Sequence, residues 1–289
     1  MRIRLLTFTI VLLILSFCSI VNAQKGNLAE KIGIESNILT SDGIYFENYL
    51  GLVKRNTFNY GEEIDFVYDR IDGFNLDDGL VYPDMDIIVL SKKGDTVFQQ
   101  KNLFKDITQG YTIEDLNLRG SVTFAEPMFP NSSYKLHVKV SDKLGDGFYN
   151  FSMDFEVVEN RMLDTKTNGL SYDILYLYSK KRDISLIDNR VSPNEKVYIL
   201  LEGLSGYKVT NGLADLSVSL FLKDARGRTI KEMIDMLPEA VDVKSLKDQL
   251  YAEILVTEGT ISNPVKCSLI IKDRNTGNSF ETSFELIVI

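Results

Sequence analysis

Apolar and polar residues alternate along much of this chain. Leu216-Ser217-Val218-Ser219-Leu220 repeats with period two, as do Val197, Ile199 and Leu201, and Tyr134, Leu136, Val138 and Val140. Successive side chains of a strand point to opposite faces, so this period predicts strands with one buried face. Between them lie Lys92-Lys93-Gly94-Asp95, Leu144-Gly145-Asp146-Gly147, Ala225-Arg226-Gly227-Arg228 and Asn275-Thr276-Gly277-Asn278, which read as hairpin loops. Strands about every ten residues without long helices predict an all-β sandwich architecture rather than an α/β fold. Helical patterning is confined to Val243–Leu250 and a counterpart near Ile113–Leu116, both read as crossovers between sheets.

The pattern occurs twice. At a shift of 133, Gly61-Glu62-Glu63-Ile64 falls on Asn194-Glu195-Lys196-Val197, Asp72-Gly73-Phe74 on Ser205-Gly206-Tyr207, and Asp78-Gly79-Leu80 on Asn211-Gly212-Leu213. Lys93-Gly94-Asp95-Thr96-Val97 likewise meets Arg226-Gly227-Arg228-Thr229-Ile230. The shared glycines weigh most, because turns that need positive φ accept few other residues. At a slightly smaller shift Tyr134–Asp142 matches Val265–Asp273, and Phe151–Val157 is set against Phe280–Leu286. Asp42-Gly43-Ile44 and Asn168-Gly169-Leu170 read as equivalent starts of the first strand. The expected organisation is an N-terminal segment over 1–23, a lead-in over 24–42, one domain over 43–158, a polar linker over 159–168 and a second domain over 169–289.

Arg2 and Arg4 precede the apolar run Leu5–Val21, and Val21-Asn22-Ala23 places small or tolerated residues where a signal peptidase reads them. The run is short for a bilayer crossing of about 20 residues. The expectation is therefore an exported chain, periplasmic, secreted or at the cell surface, processed between Ala23 and Gln24. Leu15-Ser16-Phe17-Cys18 outlines a lipid-attachment box, but bulky Phe17 stands where a small residue is usual, so Cys18 is not read as an anchor. Loss of the segment would leave Cys267 as the one cysteine and rule out an internal disulfide. Cys267 shares a strand face with Val265, Leu269 and Ile271 and reads as a small core residue.

The whole chain carries a formal charge of −9. Such an acidic balance argues against nucleic acid as a partner, since phosphate binding relies on Lys and Arg. In its repeated strands and turns the chain resembles tandem immunoglobulin-like domains of bacterial envelope and secreted proteins. The resemblance is one of architecture and implies that fold alone. The inter-sheet cysteines and the tryptophan of antibody-type domains are missing, for the chain has no Trp.

Candidate chemistry is sparse. His137 is the sole histidine and shares a face with Lys135 and Lys139, which excludes His-based nucleophile pairs and zinc sites. Asp69, Asp72, Asp77, Asp78, Asp84 and Asp86 cluster, and Asp142 with Asp146 flanks a glycine turn, but the spacing fits no EF-hand loop. The second copy has Ser205, Thr210 and Ser217 in place of Asp72, Asp77 and Asp84, where a duplicated metal site would keep its ligands. Tyr45, Phe46, Tyr49, Phe58, Tyr60, Phe66, Tyr68, Phe74 and Tyr82 read chiefly as core, with any exposed tyrosine patch the place to seek a ligand. Tyr172, Tyr176 and Tyr178 would share one face of an extended strand.

No catalytic, cofactor or metal residue is assigned from the sequence. The leading expectation is a non-catalytic protein-interaction or structural module of the bacterial envelope, whose partner is a protein. A carbohydrate-binding or adhesive module is the second reading and a hydrolase with paired carboxylates the third.

Overall fold

The computed structural model describes residues 32–259 and 261–289. Cys18, Ala23 and Gln24, with the export segment they belong to, lie outside the described residues. Among the described residues no helix is long and apolar enough to cross a membrane.

The elements in chain order begin with β1 (Ile32–Ser36), β2 (Thr40–Asn48), β3 (Gly51–Leu52), β4 (Thr57–Asn59), β5 (Glu63–Asp72) and β6 (Pro83–Ser91). β7 (Thr96–Gln100), β8 (Arg119–Thr123), β9 (Ser132–Asp142) and β10 (Phe148–Val158) complete the first set. The second set runs β11 (Asp164–Asn168), β12 (Ile174–Ser179), β13 (Ile184–Ser185), β14 (Arg190–Val191), β15 (Lys196–Glu202), β16 (Val209–Thr210) and β17 (Leu213–Ala214). It continues with β18 (Leu216–Lys223), β19 (Thr229–Met233), β20 (Val241–Asp242), the short helix α1 (Val243–Asp248), β21 (Leu250–Leu255), β22 (Val265–Asp273) and β23 (Ser279–Val288). The chain divides into two compact units: residues up to Thr57 with Ile64–Val122 and Ser133–Glu156, and Phe58–Glu63 with Thr123–Ser132 and Val157–Ile289.

The two sets have the same topology. In the first, one sheet is ordered β1-β10-β9-β6-β7 with β4 on β10, and the other β3-β2-β5-β8. In the second the orders are β11-β23-β22-β18-β19 with β14 on β23, and β13-β12-β15-β21. Each strand of the first set thus has a counterpart in the second, as a duplicated sandwich requires, and the second adds a small sheet ordered β16-β17-β20. Register agrees residue by residue. Leu90 lies opposite Lys135, and Lys223 opposite Lys266, a shift of 133 on one strand and 131 on the next. The β6–β7 ladder is irregular at Val89/Leu90, and the β18–β19 ladder at the equivalent Leu222/Lys223.

The turns repeat as well. Positive φ recurs at Gly61 and Asn194, at Asp78-Gly79 and Asn211-Gly212, and at Gly94 and Gly227. Gly73 and Gly206 are required by close approach. A Cβ on Gly73 would meet the Ile38 carbonyl oxygen at 2.4 Å, and one on Gly206 would meet that of Gly169 at 2.1 Å.

That pair of contacts makes Leu39 the counterpart of Leu170, and both are buried. The first strands therefore align at a shift of 131, not through Asp42-Gly43-Ile44 and Asn168-Gly169-Leu170 as the sequence suggested. The last strands differ from the sequence match as well. The Asn56 carbonyl accepts from the Glu156 N–H and that of Asn189 from Ile287, so Phe151 corresponds to Thr282 and not to Phe280. The sequence match had slipped by two residues, a step that leaves a period-two pattern unchanged. Near Ile113–Leu116 there is a turn rather than a helix, closed by the Thr112 hydroxyl on Asp115. Strands also enter the segments read as lead-in and linker: β1 pairs with β10, and β11 with β23.

Equivalent cores are filled differently. Phe46, Phe66 and Phe151 are fully buried in the first sandwich, with Phe66 and Phe151 edge to face at 5.4 Å. Leu177 and Ile199 stand where Phe46 and Phe66 do, in a largely aliphatic cluster. Gly120 makes room for Phe66, whose ring a Cβ there would meet at 2.4 Å. Over the smaller Ile199, the corresponding residue is Ala252. Cys267 is buried among aliphatic side chains, which pushes its thiol up to about 12.

Candidate tyrosine-bearing binding face

His137 sits half-buried on the outward face of β9, opposite Ile88. Burial first, and then the positive charge of Lys135, hold its imidazole below the ordinary value, so it is neutral at neutral pH. It lines a groove of about 570 Å³ with Ile34, Glu35, Asp86, Ile88 and Lys139.

The acidic residues serve turns and loops. Asp84 and Asp86 accept from the backbone N–H groups of Phe104 and Asn102, and Asp72 pairs with Arg70 at 2.6 Å. Asp77 closes a turn on Leu80 around Asp78-Gly79. Asp69 and Asp146 are exposed. Asp142 is buried and accepts from the N–H groups of Asn75 and Leu144, as Asp273 does from Lys208 and Asn275. Among the described residues no group of three or more His, Cys, Asp or Glu is arranged to hold a metal ion.

Most aromatic candidates are core. Phe46, Phe58, Tyr60, Phe66, Tyr68 and Phe74 are buried, Tyr82 is half-buried, and Tyr45 and Tyr49 are exposed. The row expected from Tyr172, Tyr176 and Tyr178 is divided. Tyr172 precedes β12 and turns inward, its ring edge to face with Phe280 at 5.3 Å. Leu175 and Leu177 join the core, so alternation along β12 sends Tyr176 and Tyr178 outward, whereas Tyr172, three residues before Leu175, packs on the same core.

Three strands assemble the face around those two. On β12, β15 and β21 the apolar residues Leu177, Ile199 and Ala252 point into the core. Alternation therefore puts Tyr176, Tyr178, Tyr198, Leu200, Tyr251 and Glu253 on the opposite side. The register sets them in two rows, Tyr178–Tyr198–Glu253 and Tyr176–Leu200–Tyr251. Rings of Tyr198 and Tyr251 meet edge to face at 5.9 Å. Tyr176 also packs at 5.5 Å on Tyr60 of the same compact unit, while Tyr251 remains 65% exposed.

Carboxylates fix the rings. Tyr198 donates its hydroxyl to Glu253 at 3.1 Å, and Lys196 reaches the same carboxylate at 3.1 Å. Those donors, Lys196 foremost, hold the Glu253 carboxyl below its usual range. Tyr178 donates to Asp183 and Tyr176 to Glu202. Burial, followed by the charge of Glu202, raises the Tyr176 hydroxyl, and the hydrogen bond to Asp183 raises that of Tyr178. Both stay protonated donors at neutral pH.

The first sandwich shows a different chemistry on the same face. The positions of Tyr178, Tyr198 and Tyr251 are held there by Glu47, Asp65 and Arg119, and Arg119 bridges the two acids at 3.1 and 2.7 Å. Arg119 ties that surface together, whereas on its counterpart the Tyr251 ring stays exposed beside tyrosines that donate to carboxylates. Sequence reading found Tyr176 and Tyr178 but not Tyr198 and Tyr251, which come from strands 20 and more residues further along. The 133 shift pairing Asp65 with Tyr198 was the available signal.

No family model matches the sequence, and no curated protein matches it. Among solved structures the chain is similar to the C-terminal domain of wzt, at 13% identity over 45% of this chain and 79% of that one, with a TM-score of 0.32. It is also similar to a DUF3823 family protein from Bacteroides ovatus ATCC 8483, at 12% identity over 75% of this chain and 95% of that one, TM-score 0.25. A calcium binding mutant of Bacteroides uniformis beta-glucuronidase 2 is similar at 11% identity over 88% of this chain and 32% of that one, TM-score 0.26. Overlaps this slight carry no functional argument.

Proposed function

We propose that this chain is an exported binding module without chemistry of its own. It engages a protein of the cell envelope through the tyrosine face of β12, β15 and β21. Export rests on the Arg2–Ala23 pattern. The observation that carries the binding role is the exchange of the Glu47–Asp65–Arg119 ion pairs of one copy for Tyr178, Tyr198 and Tyr251 in the other. Tyrosine gives large contact area at little conformational cost and keeps a polar tip, which suits a surface that is wet when free and dry when bound. A glycan is the second reading, favoured by the exposed Tyr251 ring two residues from a carboxylate.

Immobilised mature protein, exposed to envelope extract, tests the assignment against Tyr251→Arg, Tyr198→Ala and the first-copy control Arg119→Ala. The expected result is a protein held by the parent and by Arg119→Ala and lost at least tenfold by the two tyrosine variants, about 1.4 kcal/mol or more. A protein retained equally by all four would overturn the site. Binding only to a glycan array, lost in the same variants, would replace the protein partner by the second reading.

A further inference from the structure

Sheet edges in this protein are protected by different means. β3 and β13 have only two residues each. Ladder irregularities mark the β7 and β19 edges. β11 is wholly polar, Asp164-Thr165-Lys166-Thr167-Asn168, and β1 carries Gly33 and Glu35. In β8, Arg119 is tied into ion pairs and Gly120 follows it. Short length, bulges, charge and glycine all discourage a further strand from adding.

β21 has none of these except one charge. Its six residues, Leu250-Tyr251-Ala252-Glu253-Ile254-Leu255, contain neither Pro nor Gly and pair without a break against β15. It is the last strand of its sheet, so among the described residues no strand covers its other side. The alternate backbone N–H and C=O groups on that side are oriented to extend the ladder. The tyrosine rows end at this same edge, on Tyr251 and Glu253.

We infer that β21 takes up an extended segment of the partner as an added strand, with a basic residue beside Glu253 and an apolar or aromatic residue two positions away beside Tyr251. This rests on the protein-binding reading above and specifies its mode. Two-residue spacing follows from the strand period, since only alternate side chains of the added segment lie on the tyrosine face. The apolar residue would continue the row Tyr176–Leu200–Tyr251. Lys196 and Tyr198 both bond Oε2 of Glu253, so the basic residue meets Oε1 of the same carboxylate; across a pair of strands opposite charges attract while like charges repel. Backbone hydrogen bonds would supply affinity and the two pockets specificity, as in other strand additions. The first copy cannot do the same, because Arg119 stands at the position of Tyr251.

The probe is a fluorescein-labelled nine-residue peptide in which valine alternates with lysine and tyrosine. One control carries proline at its central valine, and another has glutamate for lysine. Anisotropy with the full chain should show binding by the parent peptide, at least tenfold weaker binding by the proline peptide and at least fivefold weaker binding by the glutamate peptide. Amide exchange of residues 250–255 should slow when the parent peptide is bound. Glu253→Lys should reverse the preference between lysine and glutamate, and Glu253→Gln should abolish it. Equal binding of the proline peptide, unchanged exchange at 250–255, or no binding of the parent peptide up to about 1 mM would overturn strand addition. An envelope protein still lost on Tyr251→Arg would in that case leave the tyrosine face standing and retire only the edge.

Discussion

Asp142 and Asp273 hold the same hydrogen bond in the two copies: the N–H of Asn75 donates to one and that of Lys208 to the other, each at 2.8 Å. Both aspartates are buried and close the hairpin that follows their strand. A feature that reads as half of an acidic cluster is thus a repeated structural clamp. Asp142→Ala or Asp273→Ala should each destabilise by about 1–2 kcal/mol, because each removes a buried carboxylate that accepts two part-buried backbone N–H bonds. Urea unfolding measures this, and added calcium should leave the parent's midpoint unchanged.

Three buried carboxyls of the second copy predict an acid limb. Burial alone would raise Glu195, but hydrogen bonds from Ser179, the Ser192 N–H and Arg182 outweigh it and lower the carboxyl. Asp224 and Asp273 are likewise raised by burial and brought below their ordinary value by backbone N–H donors. A carboxyl lowered on folding contributes stability above its unfolded value of about 4 and loses it as pH falls through the folded value. Urea midpoints should be level from about pH 7 to 5 and drop below about pH 4. Glu195→Gln should shallow that drop.

The pair Phe66 and Gly120 should behave as a unit. Gly120→Ala places a Cβ against the Phe66 ring and should cost about 1–3 kcal/mol. Combined with Phe66→Ile, which recreates the Ile199–Ala252 pair of the second copy, the loss should be less than additive by at least about 1 kcal/mol. A denaturant double-mutant cycle reads the difference directly.

Cys267 should be silent until the protein opens. Its thiol is buried and pushed up to about 12, so a thiol reagent at pH 8 should label it only under denaturing conditions. Cys267→Ser should destabilise by about 1–3 kcal/mol through an added hydroxyl in an apolar site.

The duplicated β architecture was legible because turn glycines and buried alternation are written locally. Gly73 and Gly206 announced themselves by position alone, and their close approach to the chain explains why. Three kinds of information were hidden. Period two cannot see a slip of two residues, so Phe151 was set against Phe280 instead of Thr282. Polar edge strands such as β11 have no buried face and hence no apolar signature, which made 164–168 read as linker. The tyrosine face draws on three strands far apart in sequence. Only the fold brings Tyr178, Tyr198 and Tyr251 together, and a break in alternation between Tyr172 and Leu175 takes Tyr172 out of the set.

Site-specific photocrosslinking in cells tests whether one face of the second copy, and not its counterpart, meets the partner. A photoreactive phenylalanine analogue is placed at position 251 in one strain and at the equivalent position 119 in another. The expected result is a discrete crosslinked envelope protein from position 251, absent from position 119 and absent again when Tyr198→Ala is added. Equal crosslinking from both positions, or a product at 251 indifferent to Tyr198→Ala, would contradict it.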